Sequence, residues 1–200
     1  MVLVMGLSAQ AASLSHPLQN WPRINAWFDA DGSVNGYDYR YDGTRILNTL
    51  YYSSWAPSGY NYYYDGHKAI DFAASTGTQV YAAAPGDVYQ TVSYCNVGDT
   101  QCGNGYGNHV RIRHFTDQSV TIYAHLSSAD VSVSDFVDCG SPIGKSGNTG
   151  NSSGPHLHFE YRSSTYGTRL DPFNYWYQTA WVQDALNQYS WMRYPTTTCF

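Results

Sequence analysis

Charge is scarce in this chain. Charged residues make up 12% of it, ten basic against fifteen acidic, for a net charge of −5. No block of Lys or Arg occurs anywhere, which argues against nucleic-acid binding, because neutralising phosphates takes clustered cations. Long apolar runs are also missing. Val2 to Leu7 is apolar but falls far short of the roughly 20 residues a membrane span needs, so no transmembrane segment is expected. The four cysteines include no CxxC pair, which disfavours a thiolate zinc site, and no internal repeat points to a solenoid or propeller.

What the chain has instead is 20 tyrosines and 18 glycines, with many Ser and Asn. That balance predicts a β-rich, loop-rich fold with a hydrogen-bonding surface. Its 200 residues suffice for one domain with a proper core plus extensions. Ala9-Gln10-Ala11 after the apolar Val2–Leu7 run has the form of a signal-peptide end, with cleavage after Ala11, although no Lys or Arg precedes the run. Residues 1–11 are therefore expected to be a signal-peptide remnant of a secreted or envelope protein. Four cysteines fit that compartment. Of the three possible pairings, Cys95–Cys102 around a polar loop and Cys139–Cys199 tying down the tail are favoured.

Residues 12–56 hold Pro17, Pro22 and several aromatics and are expected to be an irregular or short-stranded lead-in that packs on the main domain, or a propeptide. Asp29-Ala-Asp31-Gly32 reads as a turn, since the later ligands of a calcium loop are absent. From Pro57 the character changes to short apolar runs between glycine turns. Gln79–Ala84 and Asp87–Val92 flank Pro85-Gly86. Asn108–His114 alternates, with Val110 and Ile112 inward and Arg111 and Arg113 outward, and Val120–Leu126 follows after a Thr116–Ser119 turn. These runs predict antiparallel hairpins in a single all-β domain over residues 57–165. In the extension, residues 166–200, Trp181, Val182, Ala185, Leu186 and Tyr189 fall at helical spacing behind Thr179, which predicts a short helix over 180–190.

The chemistry concentrates in a few histidines. Gly150-Asn-Ser-Ser-Gly-Pro-His156-Leu-His158-Phe-Glu160 is a turn-rich loop entering a strand. Alternation puts His156, His158 and Glu160 on one face and Leu157, Phe159 and Tyr161 on the other. Two imidazoles on one face can reach one metal ion, or one can ligate while the other works beside it. His67 and Asp71 lie four residues apart. On a straight strand that is about 13 Å, too far for one small ion, so the segment must bend if they are a pair. Two imidazoles and a carboxylate suit a catalytic zinc that keeps a position for water. Tyr123-Ala-His125-Leu126 supplies a further histidine near a strand end, while His16, His109 and His114 read as structural.

Taken in order, the motifs His67-Lys-Ala-Ile-Asp71-Phe, Gly77-Thr-Gln-Val-Tyr-Ala, Pro85-Gly-Asp-Val, Gly105-Tyr-Gly-Asn-His-Val, Tyr123-Ala-His125-Leu, Pro142–Gly150 and Gly154-Pro-His156-Leu-His158-Phe-Glu160 resemble the lysostaphin/LytM-type zinc endopeptidases, which cut peptide bonds in bacterial peptidoglycan. The resemblance leaves residues 1–56 and 166–200 uncovered. It implies a compact antiparallel β-sheet domain with a groove over the sheet and loop walls. It implies one Zn2+ per chain held by His67, Asp71 and His158, with His125 and His156 beside the metal as catalytic histidines. Such an ion activates water and polarises a carbonyl. One histidine then relays a proton while the other helps hold the oxyanion, and which does which stays open. Tyr60, Tyr62, Tyr63 and Tyr64, close before His67, are candidate oxyanion or substrate contacts, and Glu160 is either an acceptor behind a ligand or an exposed strand carboxylate. The expected activity is a secreted, monomeric metalloprotease acting on peptidoglycan peptides. The alternatives are a non-catalytic wall-binding or regulatory module of the same fold and a peptidase for glycine-rich proteins.

Overall fold

The computed structural model describes residues 14–19, 22, 24–26, 28 and 67–172, together with the backbone of four short strands at 38–39, 45–46, 178–183 and 189–194. Described residues are nearly all in strands or turns. In chain order the strands are β1 (Ile24–Ala26), β2 (Asp38–Tyr39), β3 (Arg45–Ile46), β4 (Ile70–Ala73), β5 (Gln79–Tyr81), β6 (Gly86–Val92), β7 (Asn108–His114), β8 (Val120–Ala129), β9 (Phe136–Val137), β10 (Pro142–Ser146), β11 (His156–Arg162), β12 (Arg169–Leu170), β13 (Gln178–Gln183) and β14 (Tyr189–Tyr194).

Ten of them form one antiparallel sheet, in the order β1-β4-β11-β8-β7-β6-β9, with β10 linking β8 to β5 and β12 continuing from β11. The hairpin expected at β7–β8 is present, β6 pairs antiparallel with β7, and Val110 and Ile112 point into the core as their alternation requires. The run at Gln79 does not pair with the one at Asp87 across Pro85-Gly86: β5 pairs with β10 instead. Gly86 meets β7 so closely that an added Cβ would lie 2.4 Å from the Arg113 carbonyl oxygen.

One face of the sheet buries Ile70, Phe72, Tyr123, Leu157, Phe159 and Tyr161. Leu14, Leu18, Ile24 and Phe28 join that same core, and β1 adds to the edge of β4. The N-terminal stretch is thus partly built into the domain.

The short C-terminal helix is not formed. β13 and β14 pair as an antiparallel hairpin, with Trp181 opposite Trp191 and Val182 opposite Ser190. The five residues chosen for their helical spacing are rich in β-formers, and aromatic and β-branched side chains favour a pleated surface. Residues 1–13, and with them the signal-peptide expectation, lie outside the described residues, as does the Asp29–Gly32 turn. Cys95 and Cys102 form a disulfide with Cα atoms 5.7 Å apart. Among the described residues no cysteine is free, and Cys199, the expected partner of Cys139, lies outside the described residues.

Candidate active site

Register brings the first two site residues together. In the β4–β11 pair Asp71 lies directly opposite His158, so both side chains leave the same face of the sheet. His158 Nδ1 stands 2.9 Å from Asp71 Oδ1. His67 precedes β4 in irregular backbone, and that bend returns its Nε2 to 3.5 Å from the same carboxylate oxygen. The bend required by the spacing of His67 and Asp71 is therefore present. Ligand atoms of the three residues all lie within 4.8 Å of one another. Donors on a tetrahedral zinc stand roughly 3.3–3.5 Å apart, given metal–ligand distances of about 2.0–2.2 Å. Two nitrogens and a carboxylate at these separations fit such an ion.

Electrostatics point the same way. Burial raises the Asp71 carboxyl, but His67 and His158 outweigh it and hold it well below the usual carboxylate range. Burial likewise lowers His158, yet Asp71 and Glu160 on its two sides carry it up to about 9. The pocket around His158 therefore favours a cation at Nδ1, and a divalent metal answers that field more strongly than a proton does. Were Nδ1 given to a metal, the imidazole proton would sit on Nε2. That atom is buried without a hydrogen-bond partner and lies 3.8 Å from Glu160 Oε1.

His125 reaches the same face by a different route. It does not lie at a strand end but within β8. Ala124 is the cross-strand partner of His158, so strict alternation would turn His125 toward the core with Tyr123. Instead His125 has φ +58°, and the β7–β8 and β8–β10 registers both shift around it. Such a bulge re-aims a side chain. The His125 ring lies 4.7 Å from that of His156 and 5.4 Å from that of His158, centroid to centroid.

Both of these histidines have a fixed tautomer. His125 Nδ1 is 2.8 Å from the Thr149 carbonyl oxygen, and His156 Nδ1 is 2.8 Å from that of Gly154. A carbonyl only accepts, so Nδ1 carries the proton in each and Nε2 keeps a lone pair. His156 Nε2 lies 3.7 Å from Asp71 Oδ2. Burial, with His156 and His158 adding repulsion, pushes His125 down to about 3.

Glu160 is not an exposed strand carboxylate. It is 2% exposed, accepts from Tyr106 Oη at 2.7 Å, and pairs with Arg162 Nε at 2.6 Å and Arg169 Nε at 3.0 Å. Burial raises its pKa, and His158, Arg162 and Tyr106 more than offset that, holding it far below the normal range. Tyr106, Thr149, Arg162 and Arg169 were not singled out from the sequence. Tyr106 sits between two glycines, and only the fold brings it under His158, with ring centroids 5.8 Å apart. Tyr60, Tyr62, Tyr63 and Tyr64 lie outside the described residues. His16, His109 and His114 are buried away from the cluster, bonded to Leu18, Gly107 and Pro85 carbonyls respectively, as structural histidines are.

The profile of Peptidase family M23 matches residues 65–172, more than half of the chain and every residue of this cluster. The chain belongs to Peptidase family M23. Within M23, a protein of Haemophilus influenzae named as a metalloprotease is 44% identical over 95 residues, covering 48% of this chain and 18% of its own. The peptidoglycan DD-endopeptidase ShyC of Vibrio cholerae is 37% identical over 95 residues, covering 48% of this chain and 20% of its own. The chain thus spans about a fifth of these relatives. Among solved structures, the catalytic domain of the prophage-encoded M23 protein EnpA from Enterococcus faecalis, a point variant, superimposes with a TM-score of 0.51 at 25% identity. That match covers 80% of this chain and 94% of that one.

Proposed function

We propose that this M23 chain is a secreted or envelope-located, zinc-dependent endopeptidase that hydrolyses peptide bonds in bacterial peptidoglycan. His67, Asp71 and His158 hold one Zn2+, and His125 and His156 are the catalytic histidines. The observation that carries this reading is the pair of Nε2 lone pairs, each fixed by a carbonyl behind it, beside a buried two-nitrogen, one-carboxylate donor set. The name of ShyC supports peptidoglycan as substrate, and the Cys95–Cys102 disulfide supports an oxidising compartment.

A zinc ion at that donor set supplies Lewis acidity toward water and a carbonyl oxygen. The chain's own residues do the rest. One of the two Nε2 atoms accepts a proton from the attacking water and delivers it to the leaving amine nitrogen as the C–N bond breaks. The other donates to the oxyanion only as an imidazolium, with a proton taken from solvent on its Nε2. Thr149 and Gly154 keep both rings in the tautomer this needs. Glu160 steadies the far side of the His158 ring. Tyr60, Tyr62, Tyr63 and Tyr64 keep their proposed place as oxyanion or substrate contacts.

The test is turbidity of a bacterial cell-wall suspension with released amines measured alongside, comparing zinc-loaded protein, chelated protein and His158→Ala. Lysis with new amines, lost on chelation and in the variant, is the expected result. Intact walls across several wall chemistries, with zinc bound, would overturn the reading in favour of a non-catalytic module.

A further inference from the structure

The site face carries a second feature that the hydrolytic chemistry does not use. Cross-strand register sets Arg111 opposite Ile122 and Ile122 opposite Glu160. Arg111 therefore shares the face of His158, two strands away and roughly 10 Å from Glu160 at the backbone. Its guanidinium lies over the Tyr106 ring, 5.1 Å from the centroid. Tyr106 Oη accepts from Arg162 Nη2 at 2.8 Å while donating to Glu160. Arg162, Arg169 and Arg111 thus gather around one tyrosine and one carboxylate.

The charges do not balance. Glu160 is the one carboxylate paired with Arg162 and Arg169 among the described residues, and Arg111 is in no ion pair there. Three guanidiniums face one carboxylate, in a chain whose net charge is −5. Arg111 is half-buried and its Nε is buried with no hydrogen-bond partner. Burial raises the pKa of the Tyr89 hydroxyl and the Arg111 guanidinium beside it lowers it, but a neutral phenol does not balance the charge. A partly desolvated cation with an unused Nε donor is costly unless an anion completes it.

We propose that Arg111, with Arg162 and Arg169, forms a subsite for an anionic group of the substrate, a carboxylate on the peptide being cut. The choice of occupant rests on the peptidase reading. Arginine presents a planar fork that matches a carboxylate and, unlike lysine, tolerates partial burial. Arg162 lies four residues along β11 from His158, about 13 Å on an extended strand, so the carboxylate belongs roughly two to four residues from the scissile bond. The subsite selects acidic stem peptides over their amidated counterparts.

The probes are two cross-linked stem peptides, identical except that one side-chain carboxylate in that range is free in the first and a carboxamide in the second. Affinity is measured on zinc-loaded His125→Ala protein, in which turnover is suppressed, and kcat/KM on the parent. The carboxylate peptide should bind about tenfold more tightly, the scale of one charged hydrogen bond, and the preference should shrink in high salt. Adding Arg111→Gln or the more exposed Arg169→Gln should bring the two peptides within about twofold, while Arg111→Lys keeps part of the preference. Equal binding of both peptides, or a preference unchanged in both Gln variants, overturns the subsite. Selective binding with no cleavage by the parent would overturn the peptidase reading and leave the subsite standing.

Discussion

Two backbone carbonyls decide what His125 and His156 can do. Thr149 and Gly154 each take the Nδ1 proton, so the reactive nitrogen of both rings is an acceptor at rest. His125→Ala and His156→Ala should each lower turnover by roughly 10²–10⁴-fold while bound metal, measured by atomic emission, stays at the parent level. Loss of metal in either variant would move that histidine into the ligand set. Glu160 poses a different question, because it touches His158 from the side away from Asp71. Glu160→Gln keeps the shape and removes the charge that holds the Nε2 proton in place. Its zinc affinity should fall by about 10–100-fold in a chelator competition. Unchanged affinity would reduce Glu160 to a counter-ion for Arg162 and Arg169.

The elements that hold these residues are loops braced against one another. The Cys95–Cys102 bridge closes the start of the 95–107 loop, and Asn108 Oδ1 accepts from Cys95 N at 2.7 Å. That loop then grips the segment ahead of β11: Asn151 N donates to the Gly105 carbonyl, Thr149 Oγ1 accepts from Asn108 N, and His125 N donates to the Tyr106 carbonyl. Gly107 and Gly150 approach so closely that a Cβ on either would lie under 2.6 Å from the other segment's backbone. Replacing Cys95 and Cys102 together by Ser should cost about 2–3 kcal/mol for so short a loop and lower kcat with metal content intact, because the brace acts on His125 and not on the zinc ligands. A thermal melt and a single-turnover assay read the two effects separately. At the opposite edge, β1 pairs with the strand that carries Asp71, Ala26 standing opposite it. A chain begun after Phe28 loses Leu14, Leu18, Ile24 and Phe28 from the core, at about 1.5–3 kcal/mol each. It should melt at a markedly lower temperature. A truncated chain that is equally stable and more active would instead support a removable inhibitory segment.

At the scale of the whole molecule, buried neutral histidines make stability depend on pH. Burial lowers His16 to about 4 against a hydrogen bond to the Leu18 carbonyl that raises it, and lowers His109 to about 4 as well. In the unfolded chain both take up protons below about 6.5, whereas the folded chain refuses them until about pH 4. Stability is therefore fully present above 6.5 and declines as pH falls from 6.5 to 4, by roughly 3 kcal/mol for His16. Urea unfolding across that range should show the loss, and His16→Gln should remove the His16 share of it while the His109 share remains. A flat profile in the parent would mean that His16 charges in the folded state.

The sequence by itself determined the antiparallel class, the inward set of β7 and β11, and the shared face of His156, His158 and Glu160, and it favoured the Cys95–Cys102 pairing that the structure contains. Period-two alternation and short loop spacing are local properties, and a chain can be read for them without knowing its partners. Only the tertiary structure decided the rest. Asp71 meets His158 through a register between strands 87 residues apart. His125 faces the site because a left-handed residue breaks the alternation that would have buried it. Glu160 is satisfied by Tyr106, Arg162 and Arg169, two of them on other segments. The C-terminal segment departs from the helical spacing of its apolar residues because pairing with a second strand is a non-local term that no window of sequence contains.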